Sequence, residues 1–209
     1  MASGFPLPLR NALAELAIAA CEDDAAAAGL AWLAAPSAPP PPVASARLAT
    51  VHLIDPHAAA LLAVHAPHGP AVAAHAARAL RAAEAFRRGA PGEGGERACR
   101  IAAALWNERL FFEVHEVLEA VWKSATGGTR QALQGVIQIA VAFHHLAHGN
   151  ARGARSLLTE GRARLAGVPQ TSLPAIEVEP LLAATARWEE ALVRGEIPGD
   201  DPPRLQLVG

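Results

Sequence analysis

Tyrosine is absent from this 209-residue sequence, and Phe and Trp together supply only 4% of it. A core built here cannot lean on aromatic bulk. It needs the scarcer Leu, Ile and Val to do most of the burying. Val and Ile do not gather in alternating runs, so there is little material for a sheet. Cysteine is limited to Cys21 and Cys99, far apart and without CxxC spacing, which excludes a disulfide framework or a thiolate zinc knuckle. No uncharged apolar run reaches the roughly 20 residues that a membrane span requires. Ile18-Ala19-Ala20-Cys21 has the outline of a lipoprotein cleavage site, but Asn11 and Glu15 interrupt the apolar stretch that a signal needs. Basic charge is not in excess either. The net charge is −2, and Arg is interspersed with Glu, so nucleic acid is not the expected partner. These absences leave a cytoplasmic protein with no membrane association as the expectation.

What is present is alanine, the residue that loses no side-chain entropy in a helix. With 52% hydrophobic residues, many of them alanine, the expected fold class is all-α, a compact antiparallel helical bundle with an Ala-rich, mainly helical N-terminal region. Residues 1–90 form that region. Leu9–Ala35 reads as one or two helices. Pro36-Ser37-Ala38-Pro39-Pro40-Pro41-Pro42 reads as an extended linker, because consecutive prolines have no N–H to donate. Asp55-Pro56 has the chemistry of a helix start, and Pro67-His68-Gly69-Pro70 ends that helix and begins another running to about Arg88. Gly89–Gly95 is a candidate boundary. Residues 96–195 form a second helical domain, and 196–209, with Pro198, Pro202 and Pro203, reads as a loosely attached tail. Within the second domain, Thr129 is placed to cap a long helix. Gly149 ends that helix and Asn150 caps the next.

Two segments carry the chemistry. At about 100° per residue, Leu110–Lys123 places Leu110, Phe111, Val114, Val117, Leu118 and Val121 on one face. Beside it runs a stripe of Phe112, His115, Glu116 and Glu119. Thr129–His148 puts Leu133, Val136, Ile137, Ala140 and Phe143 on its apolar side, with His144 among them. Gln131, Gln134, Gln138 and His145 form a narrow polar stripe. A short Gly-containing connection makes the two helices antiparallel neighbours, which brings the stripes within reach of each other and leaves open whether they face.

His115-Glu116-Val117-Leu118-Glu119 has the layout of the zinc-peptidase HExxH pattern with Glu in the last position. Imidazole and carboxylate at i and i+4 share a helix face and both ligate metal, and Glu116 is placed as a general base. His115, Glu119 and His145 form the candidate metal set, with His148 an alternative third ligand. The bland alternative is a same-helix ion pair of His115 and Glu119 with a solvated Glu116. The spacings of His52, His57, His65, His68 and His75 fit no compact ligand set. Trp32, Trp106, Trp122 and Trp188 read as core anchors.

Trp106-Asn107, the run Phe111-Phe112-Glu113-Val114-His115-Glu116-Val117-Leu118-Glu119, Trp122, Gly127 and Arg130 resemble the domain-of-unknown-function 309 family. Leu133-Gln134-Gly135-Val136-Ile137-Gln138, His145, Gly149-Asn150, Gly153-Ala154 and Leu157-Leu158 continue the resemblance in register, over about residues 100–168. The resemblance implies a compact helical domain and no established reaction. Its characteristic positions are Glu113, His115, Glu116, Glu119, Gln134, Gln138, His145 and Asn150. Arg109 departs from it, standing where the family usually has Gly.

Two functions follow as expectations. The first is a polar His/Glu/Gln pocket that binds a small ligand or a divalent metal (zinc, iron or manganese), extending to hydrolysis. His115 and Glu116 would be its catalytic pair, and Glu113, Gln134, Gln138 and Asn150 its binding residues. The second is a non-catalytic interaction or structural module that meets a protein partner. Its polar stripe would then be a buried hydrogen-bond network.

Overall fold

The structure, a computed structural model, describes residues 4–36, 38–55, 57–173 and 175–208. It is all-α apart from one two-stranded hairpin, and it divides into two compact units, Gly4–Ala90 and Pro91–Gly209. Among the described residues no helix is long and apolar enough to cross a membrane.

The first unit contains α1 (Leu7–Ala19), α2 (Asp24–Ala34), α3 (Pro42–Thr50), strands β1 (Ile54–Asp55) and β2 (Ala60–Leu61), and α4 (Gly69–Arg88). The α1–α2 break falls at Glu22-Asp23-Asp24 because Asp23 caps α2, its carboxylate accepting from the Ala25 N–H at 2.8 Å. Leu9, Leu13, Leu16, Leu30 and Leu48 are fully buried and make up for the small alanines around them. The proline stretch is extended, as its composition demands, but it does not separate domains. Trp32 Nε1 donates to the Ala38 carbonyl at 2.6 Å, Pro40 is buried, and Pro42 opens α3. Ser37 lies outside the described residues.

The helix expected after Asp55 does not form. The Asp55 carboxylate accepts from the His57 and Ala58 N–H groups at 2.8 and 3.3 Å. Those bonds hold it below the usual aspartate range. They close a turn into β2, which pairs antiparallel with β1 through Ile54↔Leu61 and Asp55↔Ala60. An Asx turn and a helix cap use the same local hydrogen bond, so the sequence signal was ambiguous. Pro56, the expected first helical residue, lies outside the described residues.

The second unit is a succession of antiparallel helices: α5 (Gly94–Asn107), α6 (Phe111–Trp122), α7 (Gly127–Ala147), α8 (Ala151–Ala166) and α9 (Val178–Val193). Each packs on the next through α8 and α9. Trp106, Phe111, Phe143 and Trp188 form an aromatic centre with ring centroids 5.2–5.7 Å apart. Trp106 and Trp188 are the buried anchors expected of them, while Trp32 and Trp122 are only half-buried. α7 begins two residues before Thr129, at Gly127 with φ +56°, and its N-terminus has no side-chain cap. Both cysteines are free and buried, and burial pushes each thiol up to about 12.

The C-terminal segment is fixed rather than loose. Trp106 Nε1 donates to the Pro203 carbonyl at 2.7 Å. Asn107 pairs with the Leu205 backbone in both directions, at 3.2 and 2.9 Å. Leu205 is buried, and Leu207 bridges Ile176. Proline content reported the lack of a helix there, but not these backbone partners.

α7 and α8 approach most closely where Gly135 faces Gly161. A Cβ on Gly161 would lie 2.7 Å from the Gly135 carbonyl oxygen and 2.8 Å from Ile139 Cγ1. One of those atoms is backbone, so it cannot swing aside. Further along, Arg162 of α8 donates to Glu189 at 2.6 Å, to Thr185 Oγ1 at 2.7 Å and to the Leu182 carbonyl, joining α8 to α9. Burial pushes the Glu189 carboxyl up, but hydrogen bonds from Thr159 and Arg162 and the Arg162 charge outweigh it and hold the group below the ordinary glutamate range.

Gly161→Ala should therefore cost about 1–3 kcal/mol by overpacking, measured by urea unfolding; an unchanged midpoint would contradict the close contact. Glu189, being depressed in the folded state, stabilises the protein above the usual glutamate pKa and loses that effect as pH falls through its lower folded value. Between about pH 7 and about pH 3, Glu189→Gln should lose less stability than the unaltered chain. Parallel pH–stability curves would remove the assignment.

Candidate metal and ligand site on α6

Arg109, immediately before α6, has φ +59°. A left-handed backbone is the conformation that glycine tolerates best, so a side chain here sits in a region few residues adopt. Here Arg109 adopts it and forms an exposed ion pair with Asp201. At the other end of α6, Arg130 lies 3.7 Å over the Trp122 ring and donates to the Trp122 carbonyl at 2.8 Å. It thus supplies a cation and a donor where the helix has unpaired carbonyls.

Between these ends, α6 turns Phe111, Val114, Val117 and Leu118 inward. Glu113 is also on the buried side, 2% exposed and partnered, where a ligand from solvent does not reach it. His115, Glu116 and Glu119 lie toward the surface, with side chains 28, 41 and 36% exposed. One ligand atom from each of the three falls within 4.8 Å of the others. His115 Nδ1 is 3.1 Å from Glu116 Oε1, and His115 Nε2 is 3.9 Å from Glu119 Oε2. A carboxylate only accepts, so the Nδ1 proton points at Glu116 and the Nε2 lone pair of the neutral ring is left toward Glu119. Lys123 Nζ, one turn on, is 3.7 Å from the same Glu119 oxygen.

Gln138 of α7 turns to α8 and not to this triad. Gln138 Nε2 donates to Glu160 Oε2 at 3.0 Å, and its Oε1 accepts from Arg164 Nε at 2.9 Å. Both partners are on α8. His145 also turns to that side. The Asn150 side chain accepts from the Gly153 N–H at 2.9 Å, which fixes its oxygen, so its NH₂ donates to His145 Nδ1 at 3.0 Å. Neutral His145 then carries its proton on Nε2 and has no lone pair there for a metal. His145 is not in the group that the structure brings together with His115 and Glu119. Gln134 is half-buried one turn before Gln138. Asn150 is the cap expected of it. The close fit of its side chain also explains Gly153, where a Cβ would come within 2.7 Å of Asn150 Nδ2.

Sequence reasoning assigned no role to Phe112 as a spacer. Its ring lies 6.1 Å from that of His115 and 6.0 Å from that of His144. His144 on α7 thus shares the Phe112 ring with His115, and His148 lies against His144 with centroids 4.3 Å apart. The i, i+4 spacing of His144 and His148 was the signal available for that pair.

These features define an all-α domain whose polar residues are divided between helix packing and one half-exposed His/Glu face. Residues 100–157, which contain α6 and α7 and the start of α8, match the model of the family described as domain of unknown function (DUF309). No curated protein and no solved structure matches the chain.

Proposed function

We propose that the helical domain binds a divalent cation on the outer face of α6, with His115 Nε2 and Glu119 as ligands and Glu116 holding the imidazole. The supporting observation is the convergence of these three side chains within 4.8 Å. A carboxylate on the far nitrogen of a ligating histidine fixes its tautomer and raises its basicity, and Glu116 stands in that relation to His115. Glu116 is thereby an orienting residue rather than a general base. One imidazole and one carboxylate suit zinc, iron or manganese better than calcium. Partial exposure leaves coordination positions for water or a small ligand, the open arrangement that catalytic sites keep. A cytoplasmic setting accords with the two free thiols, and a net charge of −2 favours no nucleic-acid partner.

A second reading is supported by Gln138, His145, Asn150 and Arg130, whose bonds join α7 to α8 or close α6. By that reading the polar residues specify helix register, and the domain serves as a structural or interaction module.

Calorimetric titration of the full chain with Zn²⁺ and with Mn²⁺ separates the two. The cation reading expects saturable binding that is lost in His115→Ala, and Glu116→Gln weakening it by about 10–100-fold. No saturable binding, or binding indifferent to both substitutions, would leave the structural reading in its place.

A further inference from the structure

The His/Glu face of α6 has a cation beside it that the ligand set does not use. Lys123, one turn past Glu119, holds its Nζ 3.7 Å from Glu119 Oε2. The same oxygen faces His115 Nε2 at 3.9 Å. The Lys123 side chain is 67% exposed, and a surface ion pair of this kind is weak enough for the ammonium to change partners. Arg130, the next cation along the chain, is committed to the helix end, donating to the Trp122, Lys123 and Ala125 carbonyls. Lys123 is therefore the charge available to a ligand on this face.

Metal binding would reverse the sign of the face. A ligating imidazole is neutral, so the carboxylates of Glu116 and Glu119 and the ammonium of Lys123 leave the metal-free face one charge negative. A divalent cation makes it one charge positive. A metal on Glu119 Oε2 lies about 2.0–2.2 Å from that oxygen, which puts it within roughly 6 Å of the ammonium. A phosphoryl group spans that separation, with one oxygen on the metal and a second accepting from Nζ.

We infer that the α6 face, once it holds its cation, takes a phosphoryl oxyanion between the metal and Lys123, an assignment that rests on the cation reading above. Lysine serves phosphate as a point charge. A phosphate monoester, with close to two negative charges at pH 7, gains more from the surplus than a carboxylate does.

The test titrates phenyl phosphate into the full chain loaded with one equivalent of Zn²⁺, followed by calorimetry, with a Zn²⁺ titration of each variant alongside. Binding should be saturable and absent from the metal-free chain. In Lys123→Gln it should be about 10-fold weaker, because a charge-assisted hydrogen bond is lost. Lys123→Arg should keep most of it. Zn²⁺ itself should bind Lys123→Gln roughly 2–5-fold more tightly, since no ammonium competes for Glu119; a merely structural lysine would not produce that gain. Zn²⁺ binding without phenyl phosphate binding, or phenyl phosphate binding indifferent to Lys123→Gln, would overturn the phosphoryl assignment and leave the cation reading standing. Absence of Zn²⁺ binding would remove both.

Discussion

The second unit depends on the contact of two glycines. Gly135 and Gly161 let the α7 and α8 backbones approach to a distance that any side chain would prevent. At that separation the half-exposed side chain of Gln138 reaches both Glu160 and Arg164 on the facing helix. The amide satisfies an acceptor-only carboxylate with its NH₂ and a donor-only guanidinium with its oxygen, so its orientation is determined by chemistry. Leu165 and Ile139 close the apolar side of the same contact. An Ala-rich protein with few aromatics gains from such proximity, because dispersion between small groups requires the backbones to be near.

That contact decides which way the polar residues of α7 point. Once the glycine ridge faces α8, Gln138 and His145 go with it, and the α6 side of α7 is left to Phe143 and His144. Gln138 is then turned away from the His/Glu face of α6. That face is a surface feature of one helix, with His115 contacting the carboxylates of Glu116 and Glu119 that follow it. The polar residues and close-packed glycines of this unit thus fall into two groups with different work. Arg130, Gln138, His145, Asn150 and the glycines shape the bundle. His115, Glu116 and Glu119 offer ligand atoms to solvent.

Helical class and several helix limits were legible in the sequence because alanine content, glycine stops and the Asn150 cap act through neighbours along the chain. The convergence of His115, Glu116 and Glu119 was legible for the same reason, being a property of one helix turn. Three features were not. Asp55 makes a hydrogen bond common to caps and turns, so the β1–β2 hairpin needed its partner strand to declare itself. The tail from Pro203 to Leu207 is held by Trp106, Asn107 and Ile176, residues that are remote in sequence. The facing of α7 was left open because a polar stripe has no intrinsic preference between two neighbouring helices; Gly135 and Gly161 decide it, and their pairing is visible only in three dimensions.

The division of the polar residues into two groups is tested most directly by measuring the melting temperature and the Zn²⁺ affinity of Gln138→Leu together. Loss of a net hydrogen-bond contribution of about 1 kcal/mol should lower the melting temperature by roughly 2–4 °C, with the Zn²⁺ affinity unchanged. A Gln138→Leu protein that keeps its melting temperature but loses Zn²⁺ would contradict the account, because it would place the glutamine stripe at the ligand after all.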